Sequence, residues 1–261
     1  MPPGSEAHGV VPDSRLDHTL PSNVPGALTD DQFATLLIGT SWGALVRSVS
    51  RGMVHELRNP LQAISLSAQT IPSAPSPDDI QFLTGAVERS SAQLARTIAL
   101  VSQLHRVPDQ EPAPVLLPDV IAFVNELQRF QRSLPLVPIE LVIPPGLPAV
   151  VGVDARLSHA VMNLVTNAKE AVGEDQGLVT IRIETEGNEV LVIIEDSGPG
   201  VPDEMAARMF EPFTTSKPGR PGVGLPAAQA LVSPFDGSIE PGIADGGGAR
   251  FTIRTRAWLG A

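Results

Sequence analysis

The sequence predicts two domains: an all-α helical hairpin that becomes a four-helix bundle when two chains meet, and an α+β sandwich behind it. Three observations carry this. Between Thr29 and Arg106 apolar residues recur in steps of three and four, and the one break is the proline-rich Ile71-Pro72-Ser73-Ala74-Pro75-Ser76-Pro77. Beyond Pro114 helical patterns alternate with short β-branched runs. Between the two regions, Val107 to Pro114 is polar and rich in proline, the composition of a linker. The expected divisions are a disordered tail over 1–28, a helical domain over 29–106, the linker over 107–114 and a mixed domain over 115–261.

The tail is rich in Pro, Gly and Ser and shows no periodicity; its His8 and His18 have no metal-ligand company. Thr29-Asp30-Asp31-Gln32 is a capped helix start. The first helix runs to about Thr70, with Gly39 or Gly43 as places where it could be interrupted. Its apolar stripe is Trp42, Val46, Val49, Met53, Leu57, Leu61 and Ile64. Pro60 removes a backbone donor and crowds the carbonyl of Glu56. It either starts a new helix or kinks a single one, and the stripe staying in phase through Ile64 favours the kink. The second helix begins at Asp78 or Asp79 and ends near Arg106, with Ile80, Leu83, Val87, Leu94, Ile98, Val101 and Leu104 on one face. One hairpin cannot bury both stripes, whereas two can, so burial argues for a homodimer. In the second domain the pattern predicts helices over Asp119–Arg132 and Ala155–Val172. Short strands are expected at Ile139–Ile143 and Val150–Val153. A hairpin of Leu178–Glu184 and Val190–Glu195 should turn around Gly187-Asn188, and a last strand pair is expected near Ser238–Glu240 and Arg250–Thr255. Helices against one face of a mostly antiparallel sheet make an α+β sandwich.

Composition narrows the function. The 261 residues suit two small domains, and 42% hydrophobic content suffices for a core. No apolar run approaches a membrane span, and the N-terminus lacks the pattern of a signal peptide, so a cytoplasmic protein without membrane insertion is expected. The absence of cysteine excludes disulfides, thiolate catalysis and Cys-ligated zinc. A net charge of −11 argues against nucleic acid as a partner. The charge is uneven: Thr29 to Pro108 holds six Arg against six acidic residues, so the rest of the chain carries the excess.

The most informative stretch is Met53-Val54-His55-Glu56-Leu57-Arg58-Asn59-Pro60-Leu61. His55 falls off the apolar stripe and should face water, with Arg51 one turn before it and Arg58 and Asn59 one turn after. Those neighbours favour a phosphoryl group beside the ring. The run resembles the H-box of two-component sensor histidine kinases, His-Glu-x-x-Asn-Pro-Leu, at every position. The resemblance implies that the His55 imidazole is the nucleophile that takes a phosphoryl group from ATP. It implies that Glu56 holds the far ring nitrogen and sets the tautomer, and that Asn59 positions the water that hydrolyses an acyl phosphate on the partner.

Four further stretches resemble the ATP-binding boxes of the same family, in the family's order. In Asn163-Leu164-Val165-Thr166-Asn167-Ala168-Lys169-Glu170-Ala171, Asn163, Asn167 and Glu170 share one helix face. By resemblance Asn167 is the principal Mg²⁺ ligand and Asn163 assists, both offering hard oxygen donors. Gyrase-type ATPases carry Glu where Asn163 stands, as a base for water. Glu170 stands where many members have Lys, and the resemblance gives it a place among the ATP contacts. In Glu195-Asp196-Ser197-Gly198-Pro199-Gly200, Asp196 would accept from the adenine amino group while Gly198 and Gly200 let the backbone approach the base. Phe210-Glu211-Pro212-Phe213-Thr214-Thr215-Ser216-Lys217 and Gly219-Arg220-Pro221-Gly222-Val223-Gly224-Leu225 resemble the F-box and the glycine-rich ATP lid. The resemblance implies that Lys217 and Arg220 contact phosphates, and that glycines such as Gly222 and Gly224 give a mobile loop whose amides meet the same anion, with a helix start behind it. Gly246-Gly247-Gly248-Ala249-Arg250-Phe251-Thr252 matches the last glycine box, where Thr252 would touch adenine.

The resemblance covers about Thr29 to Thr255. It implies a sandwich of the gyrase, Hsp90 and histidine kinase ATPase type, ATP and Mg²⁺ as cofactors, a homodimer, and a response regulator receiver domain as partner. The expected activity is autophosphorylation of His55 followed by transfer to an Asp of the regulator, together with dephosphorylation of that regulator. No sensor domain or membrane segment is read in the sequence, so input would come from a separate sensor protein, from the tail, or from nothing in this sequence. Two rivals stand beside this reading. One is a non-catalytic scaffold or phosphotransfer dimer with a degenerate ATP site, opposed by the intact Asn163, Asn167, Asp196 and glycines. The other is a gyrase-like ATPase, opposed by Asn163 and His55.

Overall fold

A computed structural model describes residues 28–104, 111–131, 134–173, 177–217 and 219–259. The expected tail up to residue 27, the end of the second helix at Arg106 and the first part of the linker lie outside these residues.

Helix α1 (Asp30–Gln69) starts on a reciprocal capping box, in which the Thr29 side chain accepts from the Gln32 backbone and the Gln32 side chain accepts from that of Thr29. It runs without interruption through Gly39, Gly43 and Pro60, so one helix carries the whole stripe. Ser76 and Asp79 exchange hydrogen bonds at the start of α2 (Pro77–Leu104), which returns antiparallel to α1.

The second domain begins earlier than its composition implied. Ala113 and Pro114, assigned to the linker, belong to strand β1 (Ala113–Val115), which pairs antiparallel with β3 (Val150–Gly152). Helix α3 (Leu117–Gln128) starts two residues before the expected Asp119, because Pro118 fits a first helical turn where its missing N–H has no partner to lose. The remaining elements are β2 (Ile139–Val142), α4 (Asp154–Val172), β4 (Val179–Glu186), β5 (Glu189–Asp196), the short α5 (Asp203–Ala206), α6 (Gly224–Val232), β6 (Ser238–Ile243) and β7 (Ala249–Arg256). The main sheet has the order β2-β4-β5-β7-β6, antiparallel except for β2 with β4. Its outer face is polar, with Arg182 and Arg250 paired to Glu195, and Arg254 to Glu186, Glu189 and Glu240. Its inner face, Val179, Ile181, Val192, Ile194, Phe251 and Ile253, is buried under the helices.

One feature departs from two independent cores. Leu45, Val49 and Met53 of α1 and Leu100 and Leu104 of α2 share one buried cluster with the sandwich, with Trp42 and Val46 packed at its edge. The contact is close: Gly52 lies so near the Phe130 backbone that a Cβ there would overlap its carbonyl oxygen. At the other end of the hairpin Leu61, Leu66, Ile71, Ile80 and Phe82 are exposed. The near half of the first stripe, read as the seat of a partner hairpin, is therefore covered by the chain's own second domain.

Candidate nucleotide site

Helix α4 crosses the floor of a cavity of about 220 Å³ and presents Asn163, Thr166, Asn167 and Glu170 to it. The three predicted residues of this helix therefore do share one face, four and three residues apart. Lys169, next to them in sequence, turns into the protein, where burial pulls its ammonium below the ordinary lysine range.

The wall opposite the floor comes from the ends of β5 and β7. Asp196 is buried, and its carboxyl is pushed above the usual carboxylate range by desolvation. That effect is opposed by hydrogen bonds that its Oδ1 accepts from the Gly198 and Ala249 backbones at 2.9 and 3.3 Å, and by the charge of Lys217. Gly248 makes the geometry possible, because a Cβ there would run into the Asp196 main chain. A carboxylate held this way has one oxygen engaged with the fold, which leaves the other to accept from a ligand.

The lid supplies the cations. Lys217 Nζ donates to the Asn167 carbonyl and side-chain oxygens at 3.2 and 3.3 Å and to Glu170 Oε2 at 3.1 Å. Arg220 forms an ion pair with the same carboxylate. Glu170, which departs from the commoner Lys, thus serves as the counter-ion that gathers both lid cations. Gly222 sits at φ +65° against the Phe213–Thr214 backbone, a place for no side chain, and accepts from Phe213 N–H at 2.9 Å. Gly224 and Leu225 open α6 onto the cavity, so the N-terminal amides of that helix face the same space as the cations.

Of the remaining predicted residues, Gly200 lines the cavity. Gly198 stands behind it and gives its N–H to Asp196. Thr252 is misplaced by the sequence reading. Strand alternation puts Phe251 and Ala249 on the cavity side and Thr252 on the polar outer face, paired across from Ile193 and Glu240. Sequence reasoning missed Met205, Met209 and Phe251, which supply an apolar wall, and Gln131. It also missed Ser41, Ala44, Leu45 and Ser48 of α1, which close one side of the cavity. A polar Ser41 in the spacing Leu37-Ser41-Leu45-Val49 is the one available signal, a hydroxyl set into an apolar stripe.

The H-box lies farther along α1. His55, Arg58 and Asn59 are exposed, and Pro60 is buried within the unbroken helix. Glu56 is half-buried and accepts from Gln93 Nε2 of α2 at 3.4 Å. His55 and the nucleotide cavity are thus separate features of the structure.

Residues 46–109 match the family model of the His Kinase A (phospho-acceptor) domain, and residues 152–258 that of the histidine kinase-, DNA gyrase B- and HSP90-like ATPase. The order is that of the hairpin and the sandwich; the first match begins inside α1 and the second at the end of β3. The chain belongs to the sensor histidine kinase family. Sensor protein ChvG of Agrobacterium fabrum is 28% identical over 80% of the chain and 38% of its own length. The sensory histidine kinase/phosphatase NtrB of Rhodobacter capsulatus is 27% identical over 75% of the chain and 60% of its own length. The chain therefore spans less than two thirds of these relatives. The catalytic domain of histidine kinase ThkA in a nucleotide-free form is 26% identical, with a TM-score of 0.50 over 57% of this chain and 99% of that one. Among the described residues no helix is long and apolar enough to cross a membrane.

Proposed function

We propose that this histidine kinase phosphorylates its own His55 from ATP and passes the phosphoryl group to an aspartate of a response regulator receiver domain, working as a homodimer. The observation that carries this reading is the convergence of Asn163, Asn167, Asp196, Lys217 and Arg220 on one cavity, with the H-box helix along its edge. The apolar wall of Met205, Met209 and Phe251 would take the adenine ring, and Asp196 its amino group. Lys217 and Arg220 would turn from Glu170 to the phosphates, a short movement on a glycine-hinged lid.

The donor set fits magnesium. Asn163 and Asn167 offer carboxamide oxygens on one helix face, and the Asn163 Nδ2 is buried without a hydrogen-bond partner. Among the described residues no three His, Cys, Asp or Glu side chains could hold a metal by themselves, so water and phosphate oxygens would complete the shell. When bound, Mg²⁺ neutralises phosphate charge. In the reaction a ring nitrogen of His55 forms the N–P bond, the bond from the γ-phosphorus to the bridging oxygen breaks, and ADP leaves with that electron pair. His55 and its arginine neighbours are exposed, as a residue that must meet both a nucleotide and a regulator has to be. Asn59, one turn away, would hold the water that removes phosphate from the regulator.

Incubation with γ-labelled ATP and magnesium tests this. The label should be acid-labile and alkali-stable, as a phosphoramidate is, and should move to a receiver domain. Acid-stable label, or phosphate release without labelled protein, overturns it. With the regulator present, Asn59→Ala should slow dephosphorylation more than autophosphorylation; equal losses would remove the assigned role.

A further inference from the structure

The α1 residues that close the nucleotide cavity do more than wall it. Ser41 is buried on α1, and its hydroxyl donates to Asn163 Oδ1 at 3.0 Å. The Ser41 Oγ also lies 3.2 Å from Nε2 of His159, one turn earlier than Asn163 on α4. With the Ser41 proton directed to Asn163, the ring must donate from Nε2, which leaves Nδ1 as the buried, unpartnered acceptor found there. Trp42 lies on the His159 ring, centroids 4.8 Å apart. Farther along, Leu45 and Val49 are buried and Gly52 meets the Phe130 backbone. The contact is therefore a fitted surface across about three turns of helix, and it ends on a residue of the nucleotide site.

Resting on the proposed function, we infer that Ser41 is a latch that competes with magnesium for the Asn163 oxygen, so that docked α1 and magnesium-bound nucleotide exclude one another. Two observations support it independently. The oxygen that the metal would need already accepts from the hydroxyl, which stands on one approach to it, and the other half of that carboxamide has no partner, as in a group built for a different arrangement. Distance gives the second. His55 follows Ser41 by 14 residues on the same unbroken helix, a rise of roughly 21 Å at 1.5 Å per residue. A phosphate held at Asn163 cannot come within attacking distance of that chain's own His55 while Ser41 is in place. The docked form is thus the resting form, and release of α1 is the step that opens the metal site and frees the helix.

The chain has two tryptophans, so a Trp258→Phe background leaves Trp42 as the reporter of docking. In the full chain, a non-hydrolysable ATP analogue with magnesium should shift Trp42 emission to the red, and the analogue in EDTA should do so much less. Ser41→Ala in that background should tighten magnesium-dependent affinity by about fivefold, the worth of one hydrogen bond, and change the affinity in EDTA little. Gly52→Val should undock α1 through overlap with Phe130, giving red-shifted emission before any nucleotide is added. Emission that ignores magnesium-nucleotide, or a Ser41→Ala chain with the wild-type magnesium dependence, overturns the latch while leaving the nucleotide site standing. Failure of every variant to bind nucleotide in either condition overturns the reading of the cavity, and the latch with it.

Discussion

The two halves of α1 have the same amphipathic periodicity and opposite surroundings. From Leu37 to Met53 the stripe is buried: Val49 is fully enclosed and Met53 is 3% exposed, both packed in the core of the nucleotide-binding domain. From Leu61 to Leu66 it faces water, and Ile80 and Phe82 on the returning helix do the same. His55 lies at the junction. The lesson is that a hydrophobic stripe states that a face will be covered and does not state by what. The near half is covered within the chain, so the burial argument for a homodimer rests on the far half, where an apolar face is left for a second copy.

Four experiments test that contrast. The largest effect is expected at the junction: His55→Gln should abolish acid-labile phosphorylation, while the thermal midpoint and ATP affinity stay at wild-type values, since an exposed ring supports neither core nor cavity. Label surviving on the variant would place the acceptor elsewhere.

Next, Met53→Ala in the near half should cost about 2–5 kcal/mol in urea unfolding, the range for truncating a buried long side chain. Leu61→Ala in the far half should cost less than about 0.5 kcal/mol in a dilute monomer. Its cost should grow with protein concentration if a second copy covers that face, and light scattering should show the shift toward monomer. A small Leu61→Ala cost that does not change with concentration would mean that no second copy covers the far half.

Asp196→Asn keeps the shape of the cavity and replaces one acceptor oxygen by a donor. It should weaken ATP binding by about 1–3 kcal/mol, up to about a hundredfold, measured by calorimetry. The same calorimetry on His55→Gln should show no change, which separates site from junction. Equal weakening in both would tie nucleotide affinity to the H-box.

The smallest effect concerns pH at the near-half interface. Burial lowers the His159 pKa from 6.5 to about 3. The unfolded chain therefore takes up a proton below 6.5 that the folded chain refuses until about pH 3. Stability is fully present above 6.5 and falls as the pH drops through that window, with a limiting slope of about 1.4 kcal/mol per unit. Between pH 7 and 5.5 wild type should lose about 1 kcal/mol more than His159→Gln in urea unfolding. Identical pH profiles would show that the ring is not held neutral by this packing.

Much of this was legible in the residues themselves. The Thr29 cap, the paired Asn163 and Asn167 and the Gly187-Asn188 turn are local features, set by spacings of one helical turn or one hairpin, and the structure has them where the sequence places them. The same holds for the order of helices and strands, because periodicities of 3.6 and 2 are properties of consecutive residues. Errors arose where the partner is distant in the chain. Ala113 and Pro114 carry linker composition yet pair with β3, whose position no local pattern reports. Thr252 matched a motif position, but the phase of β7 against β5 decides that Phe251, not Thr252, meets the cavity.

The two domains, their family and the Asn, Asp and lid residues of the nucleotide cavity were readable from the residues alone, since they follow from short-range patterns and quoted motifs, whereas the cavity's apolar wall was not. Only the tertiary structure decided which surface covers the near half of α1, and with it the contact between Ser41 and Asn163, 122 residues apart in the chain. The physical reason is that an apolar stripe lowers its free energy against any complementary surface, so the choice among surfaces depends on shape. Here the shape is Gly52 fitting the Phe130 backbone and Trp42 lying on the His159 ring, contacts that exist only once α3 and α4 have been folded into place.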